Sequence, residues 1–282
     1  MFTWNRLSSV LLTLTLLAPA MSASAADRPP GLPIQLELGD SWTYGDGASD
    51  PSSGGYAGHV YRHNLTNLDC LPANSENFAT GCPGLQRLTL ARQGTADNPG
   101  VTTDLFIAEQ LDEGVALASA RNSDNNPRND VVTILLSVGG NDVSKPVLQA
   151  CIGGLTSTCL DVIGERVGHV DENLELILAA LREAAGPDAS IVILTYDNAI
   201  PSCPLGSTPG AGPLGNLVLE GHPGLGVTGL NEVIRSRAAQ HDVHVVEVFA
   251  ALQGTDWVGD CLHPNDSGYE KIGVIAGLAI TG

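Results

Sequence analysis

The sequence predicts an α/β fold, a three-layer α/β/α sandwich around a five-stranded, mainly parallel sheet. Two observations carry this. Short apolar runs alternate with segments of helical periodicity along most of the chain, and the central runs are nearly continuous in Val, Ile and Leu, as in strands covered on both faces. Five runs read as strands: 33–38, 86–90, 131–138, 191–195 and 244–249. The clearest helix spans 160–185, where Ile163, Val167, Val170, Leu174, Ile177, Leu178 and Leu181 form one stripe, and Gly186 and Pro187 stop it. Further helices are predicted over 229–240 and from Asn265 to the end.

The first residues, "MFTWNRLSSVLLTLTLLAPAMSASA", carry one positive charge, a short apolar stretch and small residues at Ala23 and Ala25. This pattern predicts a signal peptide over 1–25, cleaved near Ala25, and a secreted product, extracellular or periplasmic. Residues 26–282 are expected to form a single domain, because no linker, repeat or low-complexity block divides them. No later run is long and apolar enough to span a membrane as a helix.

The formal net charge is −18, and removal of the leader takes away only Arg6. So acidic a surface argues against nucleic acid and against docking on anionic lipid. A monomer is expected. Six cysteines fall beyond the leader, and an even number in an exported chain favours disulfides. The expected pairs are Cys70 with Cys82 and Cys151 with Cys159, which close short loops, and Cys203 with Cys261, which remain. Without a CxxC pair, zinc has little support, and no metal or other cofactor is expected.

Active sites in parallel sheets gather at the carboxyl ends of the strands. Three strands end in chemically capable residues. "LELGDSWTYGDG" presents Ser41 after the first, where turn residue and nucleophile are equally open readings, and its surroundings do not match G-x-S-x-G. "LLSVGGND" presents Asn141 after the third, as a turn former or as a carboxamide donor to a developing negative charge. "DCLHPN" follows the fifth, with Asp260 three residues before His263, so that one turn can set the carboxylate against one imidazole nitrogen. Asp142 is read as fixing its loop.

These three blocks, in this order, resemble the SGNH, or GDSL, hydrolase family, whose sheet is flavodoxin-like. The resemblance implies an ester hydrolase with Ser41 as nucleophile, His263 as base, Asp260 as its orienting acid and Asn141 as an oxyanion donor beside the Ser41 N–H. It also implies a glycine whose N–H completes the oxyanion hole. "LARQGTADNPGVTTDLF" offers Gly94 and Gly100, and closeness to the strand end favours Gly94. Substrates of the family are carboxylic esters of several classes. The stretches following strands three and four are apolar, rich in Gly or Pro and poor in aromatic residues, which favours lipid or aliphatic esters. A carbohydrate acetyl esterase is the alternative, and an idle binding module on the same fold is a more distant one.

Other polar clusters read as structural. His241 and His244 suit a surface turn, His59, His63 and His169 the surface, and "RNSDNNPRND" a polar loop whose spacing fails a calcium site. Asn64 and Asn265 stand in glycosylation sequons.

Overall fold

The computed structural model describes residues 32–67, 84–94, 100–126 and 129–281. The expected signal peptide and the expected Cys70–Cys82 bridge lie outside the described residues. Five strands, β1 (Ile34–Gly39), β2 (Gln86–Thr89), β3 (Val131–Ser137), β4 (Ser190–Leu194) and β5 (His244–Val246), form one sheet in the order β2-β1-β3-β4-β5. All four neighbouring pairs are parallel. The chain steps from β1 outward to β2 and then back to β3 on the other side, so the crevice between the carboxyl ends of β1 and β3 is the topological switch point.

Three helices, α1 (Ser41–Tyr44), α2 (Pro51–Gly54) and α3 (Tyr56–Asn67), follow β1. Next, α4 (Thr103–Phe106) runs through a π turn at Ile107–Leu111 into α5 (Asp112–Asn122). α6 (Gly140–Cys151) and α7 (Ser157–Ala185) connect β3 to β4, α8 (Ala211–Glu220) and α9 (Leu230–Gln240) connect β4 to β5, and α10 (Asp266–Thr281) closes the fold. α3 and α10 pack together on one face of the sheet, and α5, α7 and α9 on the other, with α6 against α7.

The periodicity that predicted α7 is the one that buries it. Ile163, Val170, Leu174, Ile177, Leu178 and Leu181 are all fully buried, each stabilising by about 1.5–3 kcal/mol relative to exposure. The helix begins earlier than expected because the Thr156 hydroxyl accepts the Cys159 N–H, and it ends as expected, with Gly186 at φ +76° donating back to the Arg182 carbonyl. β5 is shorter than its apolar run. Beyond Val246 the Thr195 hydroxyl takes the Val248 N–H at 2.8 Å, replacing a ladder bond with a side-chain bond.

β1 is buried along its whole length, although Gln35 and Glu37 alternate with Ile34, Leu36 and Leu38. The polar face lies under α3, where Gln35 donates to the Ala57 carbonyl and to Glu37, and Asn64 donates to Gln35. Glu37 is held by Arg87 through two bonds of 2.6 and 2.9 Å. Asn64 is 5% exposed, so its carboxamide is not presented at the surface for glycosylation. Helices α3 and α10 approach through glycine: a Cβ on Gly273 would stand 2.3 Å from the His59 Cβ.

Candidate active site

Ser41 opens α1 at the carboxyl end of β1, and the preceding backbone explains how it is presented. Gly39 has φ +116°, and a Cβ there would stand 2.1 Å from the Ser137 carbonyl oxygen of β3. Only glycine permits both the left-handed turn and this approach. Gln110, buried in the π turn, fixes the same glycine from both sides, with its carbonyl accepting the Gly39 N–H at 2.8 Å and its amide donating to the Gly39 carbonyl at 2.9 Å. The π turn thus serves a site.

Asp40 caps α1, accepting the Trp42 N–H at 3.0 Å. Behind it runs a buried relay of hydroxyls. Ser137 donates to Asp40 at 2.6 Å, so Thr43 must donate to Ser137 at 2.7 Å and Tyr56 to Thr43 at 2.8 Å. Tyr196, at the end of β4, donates to the other Asp40 oxygen. Burial pushes the Asp40 carboxyl up to about 6, against the pull of the Ser137, Tyr196 and Trp42 bonds and the charge of His263. Tyr196 is itself clamped by Asn231, which accepts its N–H and donates to its carbonyl, each at 2.8 Å.

His263 lies on the loop after β5. Its Nε2 is 2.9 Å from Ser41 Oγ, and its Nδ1 is 2.6 Å from an Asp260 carboxylate oxygen. An Nδ1–H that donates to Asp260 leaves Nε2 free to accept the serine hydroxyl, so the bonds select the tautomer. The loop is built to hold this pose. Gly259 and Cys261 have φ +87° and +68°, and the second Asp260 oxygen accepts the N–H groups of Leu262 and His263 at 2.8 and 2.9 Å. Burial raises the Asp260 carboxyl, but these bonds from His263 and the backbone outweigh it and hold the group below the ordinary aspartate value. Trp42 Nε1 donates to the Leu262 carbonyl at 3.0 Å and so ties the serine's own helix to the histidine loop. Cys261 is bridged to Cys203.

Asn141 sits in the first turn of α6, after Gly139 at φ +114°, and donates to the Val101 carbonyl at 3.1 Å. Gly100 lies directly against it: a Cβ on Gly100 would stand 2.5 Å from the carboxamide atoms. Gly94 stands half-buried in the coil leaving β2. Asp142 ties the two segments together by accepting the Thr103 N–H at 2.9 Å and the Thr103 hydroxyl at 2.7 Å. Asn173 of α7 donates to the same hydroxyl at 2.9 Å and to Asp104 at 2.9 Å, and His169 pairs with Asp104.

Sequence reasoning brought Ser41, Asp260, His263 and Asn141 to one edge of the sheet. It missed Gln110, Ser137, Tyr196 and Asn231, which act through backbone and hydroxyl bonds and carry no motif. It also missed Asp46, whose carboxylate is 3.9 Å from His263 Nε2. Asn265 is engaged rather than free, since its side chain accepts the Ser267 and Gly268 N–H groups at the start of α10 and donates to the Thr255 carbonyl. His241 pairs with Glu175, and no group of three or more His, Cys, Asp or Glu among the described residues is placed to hold a metal ion. Cys151 is bridged to Cys159, and no described helix is long and apolar enough to cross a membrane.

Arranged this way, the imidazole can take a hydroxyl proton while a carboxylate stabilises the charge it acquires, and the hydroxyl oxygen can attack an electrophile. Residues 38–271 match the model of the GDSL-like Lipase/Acylhydrolase family. Among solved structures, the chain is similar to a lipase from a goat rumen metagenome, with 19% identity, a TM-score of 0.59 and coverage of 88% of this chain and 97% of that one. It is similar to an extracellular lipase from Streptomyces rimosus, with 21% identity, a TM-score of 0.52 and coverage of 87% and 98%. It is also similar to an acetylxylan esterase from Geobacillus stearothermophilus, with 14% identity, a TM-score of 0.54 and coverage of 89% and 96%. A comparison with curated proteins finds no match.

Proposed function

The chain belongs to the GDSL-like lipase/acylhydrolase family and is a carboxylic ester hydrolase, and from that premise we propose that it is a secreted serine esterase or lipase acting on lipid or aliphatic esters through Ser41, His263 and Asp260. The observation that carries this reading is the unbroken chain of bonds from Ser41 Oγ through His263 to Asp260. His263 Nε2 takes the Ser41 proton as Oγ attacks the ester carbonyl, and Asp260 stabilises the imidazolium. The imidazolium then protonates the leaving alcohol, which departs as the acyl-enzyme forms. Water, deprotonated by the same nitrogen, releases the acid and restores Ser41.

The tetrahedral oxyanion is assigned to the Ser41 N–H, the Asn141 carboxamide and a glycine N–H. For that glycine we put Gly100 in place of Gly94, because Gly100 is packed on the Asn141 carboxamide and has no room for a side chain. Loss of one such donor costs on the order of 100-fold in rate.

The preference for lipid or aliphatic esters rests on exposed apolar side chains in the stretch that follows β3 and beside Asp260. Val258 and Leu262, on either side of Asp260, are 46% and 48% exposed, and Leu148, Ile152 and Leu155 stand exposed around the end of α6. Such apolar side chains suit an acyl chain or a lipid surface. Secretion is supported by the leader pattern and by the Cys151–Cys159 and Cys203–Cys261 disulfides. The test is the rate on nitrophenyl esters of increasing acyl length for the wild type and Ser41→Ala. The expected outcome is higher kcat/KM for medium or long chains than for acetate, and a fall of at least about 1,000-fold in Ser41→Ala. A marked preference for acetate would favour a carbohydrate acetyl esterase, and full activity in Ser41→Ala would end the mechanism.

A further inference from the structure

Asp46 places a second carboxylate on the side of His263 away from Asp260. Its Oδ2 is 3.9 Å from Nε2, the nitrogen that lies 2.9 Å from Ser41 Oγ. The backbone here has little freedom. The Gly45 and Asp46 N–H groups both donate to the Ser41 carbonyl at 2.9 Å, and the Asp46 carbonyl accepts the Tyr269 hydroxyl at 2.6 Å. The next residue, Gly47, has φ +96° and packs so tightly on the histidine loop that a Cβ would stand 2.5 Å from the Pro264 carbonyl oxygen and 2.9 Å from the His263 Cβ. The Asp46 side chain is 39% exposed, and His263 is its ion-pair partner among the described residues.

The orienting role is already filled by Asp260 at Nδ1. What Asp46 adds is a negative charge on the alcohol side. Nε2 hands its proton to the leaving alcohol, whose oxygen must come within about 3 Å of it, so the Asp46 carboxylate lies within about 7 Å of that oxygen. At such a distance a unit charge changes an energy by an amount equal to roughly 3- to 50-fold in rate, the range reflecting how much water intervenes. Two other acidic groups interact with the imidazole, Asp260 through Nδ1 and the buried Asp40 through its charge.

We propose that Asp46 is a specificity-determining residue that selects esters by the charge of their alcohol portion, accepting neutral and cationic alcohols and rejecting anionic ones. The inference rests on the reading of Ser41 and His263 as the hydrolytic pair. The substrates that test it are esters of one short acid with choline, with 3,3-dimethylbutanol, which replaces the choline nitrogen by carbon, and with 2-hydroxyethanesulfonate. For the wild-type mature chain at low salt, kcat/KM should be highest for the choline ester and lowest for the sulfonate. The choline-to-sulfonate ratio should fall about 10-fold in Asp46→Asn, survive in Asp46→Glu and shrink in high salt. Because each ratio compares substrates on one preparation, partial misfolding of a variant does not disturb it.

An unchanged ratio in Asp46→Asn, with or without an equal loss on all three esters, would overturn charge selection. If Ser41→Ala abolishes turnover of the neutral ester while that ratio stays unchanged, only this inference fails. If Ser41→Ala hydrolyses the neutral ester normally, the hydrolytic reading itself fails and takes the inference with it.

Discussion

At the scale of single residues, the positions of Ser41 and its neighbours are set by buried groups behind them. Asp40 has two roles, capping the helix that carries Ser41 and collecting the Ser137 and Tyr196 hydroxyls. Its carboxyl titrates at about 6 in the folded chain, up from 3.8, because it is buried. Between these values the native state binds the extra proton, so this group's contribution to stability falls as pH rises from about 4 to 6, by about 3 kcal/mol at most. Asp40→Asn removes the titration. The stability of Asp40→Asn relative to wild type should therefore increase by about that amount from pH 4 to pH 7, as read by denaturant unfolding at each pH. A difference that does not move with pH would show that Asp40 is not the group responsible. The sequence alone could not show that the partners of Asp40 come from β3 and from the segment just past β4. Asp46 was hidden for a similar reason: in a Gly-Asp-Gly turn an aspartate is ordinary, and only the fold sets it beside His263.

At the scale of elements, the strands and long helices were legible because burial imposes their period. The stripe of α7 and the apolar runs of β3 and β4 leave few alternatives. What escaped was set by partners distant in sequence. The polar positions of β1 would suit a solvated face, yet α3 covers them with a Gln35, Glu37 and Asn64 network that Arg87 completes. The close approach of α3 and α10 depends on Gly273, a glycine within a helix that looks unfavourable locally. Gly273→Ala has better helix propensity but must push the two helices apart, and it should cost about 1–3 kcal/mol in denaturant unfolding. A more stable Gly273→Ala protein would show that the contact relaxes without cost.

At the scale of the whole molecule, the site exists because the topology brings three distant segments to one sheet edge and then ties them together. Trp42 binds the serine segment to the histidine loop, Asp142 binds the Asn141 segment to Thr103, and the Cys203–Cys261 bridge fastens the histidine loop to the segment after β4. The block order in the sequence pointed to the convergence. The packing of Gly100 on the Asn141 carboxamide was not legible there, because the two residues are distant in the chain and meet only in the fold. Replacing Cys203 and Cys261 together by serine should lower stability by about 2–4 kcal/mol. It should also lower kcat more than it raises KM on a nitrophenyl ester, since it loosens His263; an unchanged kcat would show that the loop holds its pose without the bridge.

If Ser41 is a nucleophile activated by His263, it should react with an electrophile that traps active serines. The most direct measurement is intact-mass analysis and peptide mapping after treatment with an activated phosphonate ester. The expected result is one phosphonyl group per chain, on Ser41, with no labelling of Ser41→Ala and slow labelling of His263→Ala. Equal labelling of Ser41→Ala, or a label on any other residue, would contradict it.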